Sequence, residues 1–115
     1  MSFSETPWGR WDVLLEETYC KVKKITVYPQ QRLSYQYHHK REERWTVVQG
    51  IATVTLDGKE IVLEKGEHIH IPRLARHRVE NRGTDHLIFI EIQQGEYFGE
   101  DDIVRIEDDY GRGTA

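Results

Sequence analysis

Gln36, His38, Glu43 and His77 bring together two imidazoles, a carboxylate and an amide at spacings that let them meet. They fall in two blocks, Gln36-x-His38-x4-Glu43-x6-Gly50 and Gly66-x5-Pro72-x-Leu74-x2-His77-x3-Asn81. Alternate residues of an extended strand share a face, so Gln36 and His38 point the same way. Glu43 follows a short turn and opens the returning strand, and His77 comes from a third strand. Neutral imidazoles with one carboxylate and an amide oxygen suit a divalent transition metal, with positions left over for water or substrate oxygens. The competing reading is a set of polar surface residues on ordinary strands, and for any single histidine that reading is the better one. His39 should point away from His38. His68 and His70 alternate with Ile69 and Ile71 and are expected on a surface or a lumen wall, and His86 is expected in solvent.

The elements that would position these groups are strands. Short alternating or β-branched runs cover Lys21–Val27, Arg32–His38, Arg44–Gln49, Ile51–Leu56, Lys59–Leu63, His68–Ile71, His77–Glu80 and Leu87–Gln93. Turn signals separate them, so the pattern predicts an antiparallel sandwich or barrel. Asp57-Gly58 predicts a two-residue hairpin. Tyr28-Pro29, Lys65-Gly66, Pro72 and Arg82-Gly83 break other runs. In Arg32–His38 one face carries Arg32, Ser34, Gln36 and His38, and the other carries Leu33, Tyr35 and Tyr37. A half-buried strand would expose the first set, whereas a barrel with an interior site would aim it at a ligand. The first seven residues are expected to be mobile. The polar segment after Gly95 reads as an edge extension or a short helix wrapping the barrel.

The chain has 115 residues, 37% of them apolar and 31% charged. That predicts one domain over residues 1–115, with a core over about 19–95 and an acidic extension over 96–115. Of 20 acids and 16 bases, residues 96–115 hold seven and two, a net −5. The other residues hold 13 acids and 14 bases, a net +1. No basic stripe is present, which argues against a nucleic-acid partner. No basic amphipathic helix or apolar span suggests a membrane partner. Cys20 is the only cysteine, which excludes an internal disulfide and fits a reducing, cytoplasmic setting.

The two blocks resemble the two motifs of the cupin superfamily. There the first motif usually opens His-x-His, where this chain has Gln36, and the second usually has Gly at the place of Leu74. The resemblance extends further. Pro7-Trp8-Gly9, the run YCKVKKITV from Tyr19, Arg32 to His39, Glu43 to Gly50, Ile71-Pro72, His77-Arg78, Ile90 to Gln93 and the run GEYFGEDDIVRIEDDYGR from Gly95 look like one family. That family is the type II phosphomannose isomerase domain, often fused behind a guanylyltransferase domain. The resemblance covers about residues 7–112. The final run is its most specific part, because cupins in general lack it.

The resemblance implies an all-β cupin fold, a double-stranded β-helix or jelly-roll barrel with a short C-terminal extension. It implies metal positions at Gln36, His38, Glu43 and His77, with Gln usual at the first. The metal would be one divalent ion, with zinc placed first and manganese, cobalt, nickel or iron open. The implied reaction interconverts mannose 6-phosphate and fructose 6-phosphate through an enediol, with a small sugar phosphate as ligand and a homodimer as assembly. Glu91, which reads equally as a surface carboxylate, and Lys23 are candidates for the proton-carrying group. Lys23 and Arg32 are candidates for the phosphate, with solvation or pairing with the acidic tail the competing reading for these basic residues. Trp45 could stack on a sugar face, although a core role suits it as well. Arg78 is expected to anchor an acidic side chain. The sequence departs from the family at Arg44, where His often follows the Glu. Two further readings stay open: a non-catalytic sugar-binding or regulatory cupin, and a metal-dependent cupin enzyme, such as an iron oxygenase, acting on another small molecule.

Overall fold

In the computed structural model, residues 2–112 are described. They form eleven strands: β1 (Phe3–Thr6), β2 (Gly9–Glu16), β3 (Lys21–Val27), β4 (Tyr35–Tyr37), β5 (Arg41–Gln49), β6 (Ala52–Leu56), β7 (Lys59–Leu63), β8 (His68–Ile71), β9 (His77–Glu80), β10 (Leu87–Gly95) and β11 (Val104–Glu107). One sheet has the order β1-β2-β3-β10-β5-β8 and the other β11-β4-β9-β6-β7, and all pairings are antiparallel. This is the jelly-roll arrangement of a cupin. Among the described residues no helix is long and apolar enough to cross a membrane.

The eight strands read from alternation are all present, four with the expected ends and four, β4, β5, β6 and β10, with shifted ones. β4 is shorter than Arg32–His38, and β5 starts at Arg41 rather than Arg44. β1 and β2 are additions. Phe3–Thr6, expected to be mobile, pairs with Gly9–Asp12. The turn between them lacks the Asn-Gly or Asp-Gly signal, and the pairing is held to the sheet by β2 against β3. Trp8 in that turn is buried with the core, so packing begins before residue 19. The segment after Gly95 is the edge extension, with β11 on β4, and not a helix. Asp57 and Gly58 both take positive φ, 47° and 81°, as a two-residue turn between right-twisted strands requires.

The inward faces are divided along their length. On β3, Lys21 and Lys23 lie at one end and Ile25 and Val27 at the other, all buried. β10 runs antiparallel and matches them: Gln93 and Glu91 face Lys21 and Lys23, and Phe89 and Leu87 face Ile25 and Val27. β5 repeats the division with Arg41 and Glu43 at the polar end and Trp45 and Val47 at the apolar end. The apolar ends merge into one core with Val54, Ile71 and Val79, and the polar ends form an internal cavity.

Leu74, at the place where cupin motifs usually have Gly, has φ 66° and is exposed. The left-handed conformation costs a branched side chain about 1–2 kcal/mol, while glycine costs roughly 0.5–1 kcal/mol in unfolded-state entropy. Leu74→Gly is therefore expected to raise stability by up to about 1 kcal/mol, read as a higher denaturant midpoint at unchanged slope. A loss of stability would mean that Leu74 packs usefully where it is.

Candidate metal centre

The cavity has a volume of about 90 Å³ and is lined by Lys23, Gln36, His38, Arg41, Glu43, Trp45, His77, Glu91 and Glu100, among others. Gln36 lies on β4 directly opposite His77 on β9. His38 follows in the turn to β5, and Glu43 faces it from β5. Ligand atoms of His38, Glu43 and His77 all lie within 4.8 Å of one another, and all three side chains are buried. His38 Nε2 is 3.3 Å from Glu43 Oε2.

The hydrogen bonds settle the ring states. A carbonyl can only accept, so His38 Nδ1–H donates to the Asp102 carbonyl at 2.6 Å and His77 Nδ1–H donates to the Ala75 carbonyl at 2.9 Å. In both rings Nε2 is then the lone-pair nitrogen, and that of His38 accepts from Arg41 Nη2 at 3.3 Å, with Glu43 Oε2 equally near. Burial keeps both imidazoles neutral. It lowers the His38 pKa to about 4 against the pull of Glu43, and it lowers that of His77 likewise. Buried neutral imidazoles tied through Nδ1 to fixed acceptors are what metal-binding histidines require.

Glu43 is only 2% exposed. Burial opposes its charge, but the Arg41 guanidinium and a hydrogen bond with Glu91 hold the carboxyl well below the usual carboxylate range. Trp45 Nε1–H donates to its Oε1 at 3.0 Å, and Arg41 Nε–H to its Oε2 at 2.8 Å. Glu91 lies beside it, between Lys23 and Trp45 in one cross-strand row. Burial first, and the Glu43 charge second, push the Glu91 carboxyl up to about 8. Two adjacent buried carboxyls are thus driven apart, one ionised and one holding its proton.

The donor set fits a divalent ion: two lone-pair imidazoles, an ionised carboxylate and the Gln36 amide. The Gln36 side-chain nitrogen makes only a long 3.5 Å contact with the Ser34 carbonyl. Arg41 shares the spot, with Nη2 at 3.3 Å from His38 Nε2 and Nη1 at 3.5 Å from Glu100. The place between Glu43 and His38 is therefore already one for positive charge.

The other candidates separate. Lys23, 2% exposed, faces the cavity and meets Glu100 at 2.9 Å, so the anion an inward lysine demands is supplied by the chain itself. Arg32, expected to help with phosphate, pairs instead with Asp109 at 2.6 Å and does not line the cavity. Trp45 lines the cavity but is 3% exposed and packs against Phe89 and edge-on to His77. Its indole N–H serves Glu43, a role for which a sugar-stacking platform has no need. Trp45→Phe should keep the packing and cost about 1–3 kcal/mol for the Glu43 oxygen left without its donor, measured by denaturant unfolding. No change would mean that solvent replaces the indole. Arg78 anchors Glu107 at 2.7 Å, as expected. Arg44 is half-exposed beside Glu42, outside the cavity. His39 and His68 are exposed, His70 meets Glu42 on the outer surface, and His86 is exposed beside Tyr28.

Three residues that contact the cavity side chains, Arg41, Glu100 and Asp102, escaped sequence reading. Arg41 shares the face of Glu43 and Trp45, a signal visible once β5 is started three residues earlier. Glu100 and Asp102 belong to the acidic segment, where nothing in the local pattern distinguishes them from their neighbours.

Comparison with known proteins bears on the family and the fold. A mannose-1-phosphate guanylyltransferase of Klebsiella pneumoniae is 45% identical over 106 residues, 92% of this chain. The match takes up 22% of that protein, so the chain spans about a fifth of the length of such curated relatives. Among solved structures, a double-stranded β-helix protein from Klebsiella pneumoniae superposes with a TM-score of 0.73 at 23% identity, over 84% of this chain and 77% of that one. The cupin domain of Cnp3 from Schizosaccharomyces pombe gives 0.72 at 13% identity, over 75% and 64%. Residues 3–108 match the family described as mannose-6-phosphate isomerase C-terminal, and the chain belongs to that family.

Proposed function

We propose that the protein is a metal-dependent sugar-phosphate isomerase interconverting mannose 6-phosphate and fructose 6-phosphate. The observation that carries this reading is the placement of Glu91, a buried carboxyl, in the same cavity as the His38, Glu43 and His77 cluster. Family membership supports the substrate class. A divalent ion, zinc in the first instance, held by Gln36, His38, Glu43 and His77, would supply Lewis acidity toward the sugar oxygens.

The rest falls to the chain's own side chains. The reaction takes a proton from C2 of the open-chain aldose and returns one to C1, with an enediol between. One group must therefore both accept and release a proton near neutral pH. The Glu91 carboxyl, pushed up to about 8, has both forms within reach. Lys23, opposite Glu91 across the strand pair, places a cation beside it. For a phosphorylated ligand Lys23 would exchange Glu100 for the phosphate, while Arg41 stays on Glu43. Trp8, Trp11 and Trp45 line the same cavity and limit water around the enediol.

The test is turnover of mannose 6-phosphate by protein stripped of metal and then supplied with each divalent ion in turn. Turnover restored by metal supports the reading. No turnover with any ion, from folded protein, would overturn it in favour of a sugar-binding cupin or another substrate. Sedimentation equilibrium decides between a monomer and the homodimer proposed for the assembly.

A further inference from the structure

We propose that Asp102 is a positioning residue that sets the tautomer of His38, which makes the segment before β11 a working part of the metal site. The inference rests on the metal reading above. Asp102 grips three consecutive residues of the turn between β4 and β5. Its carbonyl accepts from His38 Nδ1 at 2.6 Å, and its carboxylate accepts from the backbone N–H of His39 at 3.1 Å and of Lys40 at 2.9 Å. The Asp102 side chain is 6% exposed.

A neutral imidazole carries its proton on either nitrogen, and the partners decide which. On the far side of the His38 ring, Nε2 faces Glu43 Oε2 at 3.3 Å. That carboxylate would welcome a donor. Arg41 Nη2, 3.3 Å from the same nitrogen, favours the lone pair there, but without the Asp102 carbonyl Nδ1–H has no acceptor and the Glu43 carboxylate draws the proton to Nε2. The nitrogen that should meet a metal would then be a donor with no lone pair to offer. Asp102 prevents this by holding the proton at Nδ1. The carbonyl cannot itself be substituted, but the carboxylate keeps it in place.

Two features make the role separable from general folding. The segment has other anchors, with β11 paired to β4 at Val104 and Arg105, Glu107 on Arg78 and Asp109 on Arg32. The second histidine is fixed independently, because His77 Nδ1 is held by the carbonyl of Ala75 within its own loop. His77 is therefore an internal control.

The experiment records imidazole nitrogen shifts of ¹⁵N-labelled, metal-free protein and then titrates it with Zn²⁺. In the unsubstituted protein both rings should carry the proton at Nδ1. In Asp102→Ala the His38 proton should shift toward Nε2 while His77 stays unchanged, and Zn²⁺ affinity should fall about 10- to 100-fold. Asp102→Asn keeps one acceptor oxygen and should fall between the two, and it serves if the alanine variant does not fold. A His38 ring unmoved in the variant, with Zn²⁺ affinity within about twofold of the unsubstituted protein, would overturn the proposal. So would a change in both rings together, which marks general loosening. If the unsubstituted protein takes up no ion, the metal reading fails, and the tautomer measurement, which needs no ion, still decides the role of Asp102.

Discussion

His38→Ala is expected to abolish metal-restored turnover and to lower divalent-metal affinity by at least about 10²-fold, since loss of a ligand should exceed the 10- to 100-fold typical of its supporting partners. The side chain is buried, touches Glu43 at 3.3 Å and occupies the Asp102 carbonyl. Its removal also leaves that carbonyl without its donor, so a stability loss of about 2–3 kcal/mol should accompany the loss of metal. Metal analysis after dialysis, isothermal titration and an isomerase assay on one preparation separate these effects. His70→Ala is the control: that ring sits on the outer surface beside Glu42 and should change neither metal content nor rate. Retained metal and turnover in the His38 variant would place the site elsewhere.

Glu91→Gln is expected to lower kcat by about 10²- to 10⁴-fold while leaving metal content intact. The substitution preserves shape and, because Glu91 holds its proton beside ionised Glu43, mimics the resting charge. The amide N–H₂ can donate to Glu43 where the carboxyl did, so the fold should be undisturbed. What is lost is the ability to accept and release a proton. A fall in kcat with little change in KM therefore reports chemistry rather than binding. If kcat survives, the proton is carried by another group, and Lys23, opposite Glu91 across the strand pair, is the next to replace.

Alternation grouped Lys23 with Ile25 and Val27, and Glu91 with Phe89 and Gln93. It did not decide which face of β10 meets the cavity, and Glu43 was legible from the motif spacing instead. The Gln36-x-His38 spacing was legible because a period of two survives even on a strand as short as β4. The N-terminal hairpin was not. Its turn, Pro7-Trp8, carries no standard hairpin signal, and β1 owes its place to β2, which is itself held by β3. Arg32 shows a second limit. Strand direction placed it with Gln36 and His38, but it makes only an isolated bridge to Glu80, and its charge finds Asp109 77 residues away. Asp102 is the extreme case, since its role exists only because residue 102 closes on residues 38–40. No local pattern encodes a contact 64 residues long.

The pairing of β3 with β10, and of β11 with β4, has a kinetic consequence. Each joins segments sixty or more residues apart, and together they wall the cavity. Chains dominated by such distant pairings fold slowly, on the order of milliseconds to seconds. Lys23, Glu43 and Arg41 keep their water until the sheets close over them, so the cost of drying these charges falls late on the folding route. Contacts formed after the main barrier govern the rate of unfolding more than that of folding. The ionised cluster thus sets chiefly how long the folded chain persists, and the apolar ends of the same strands set how quickly it forms.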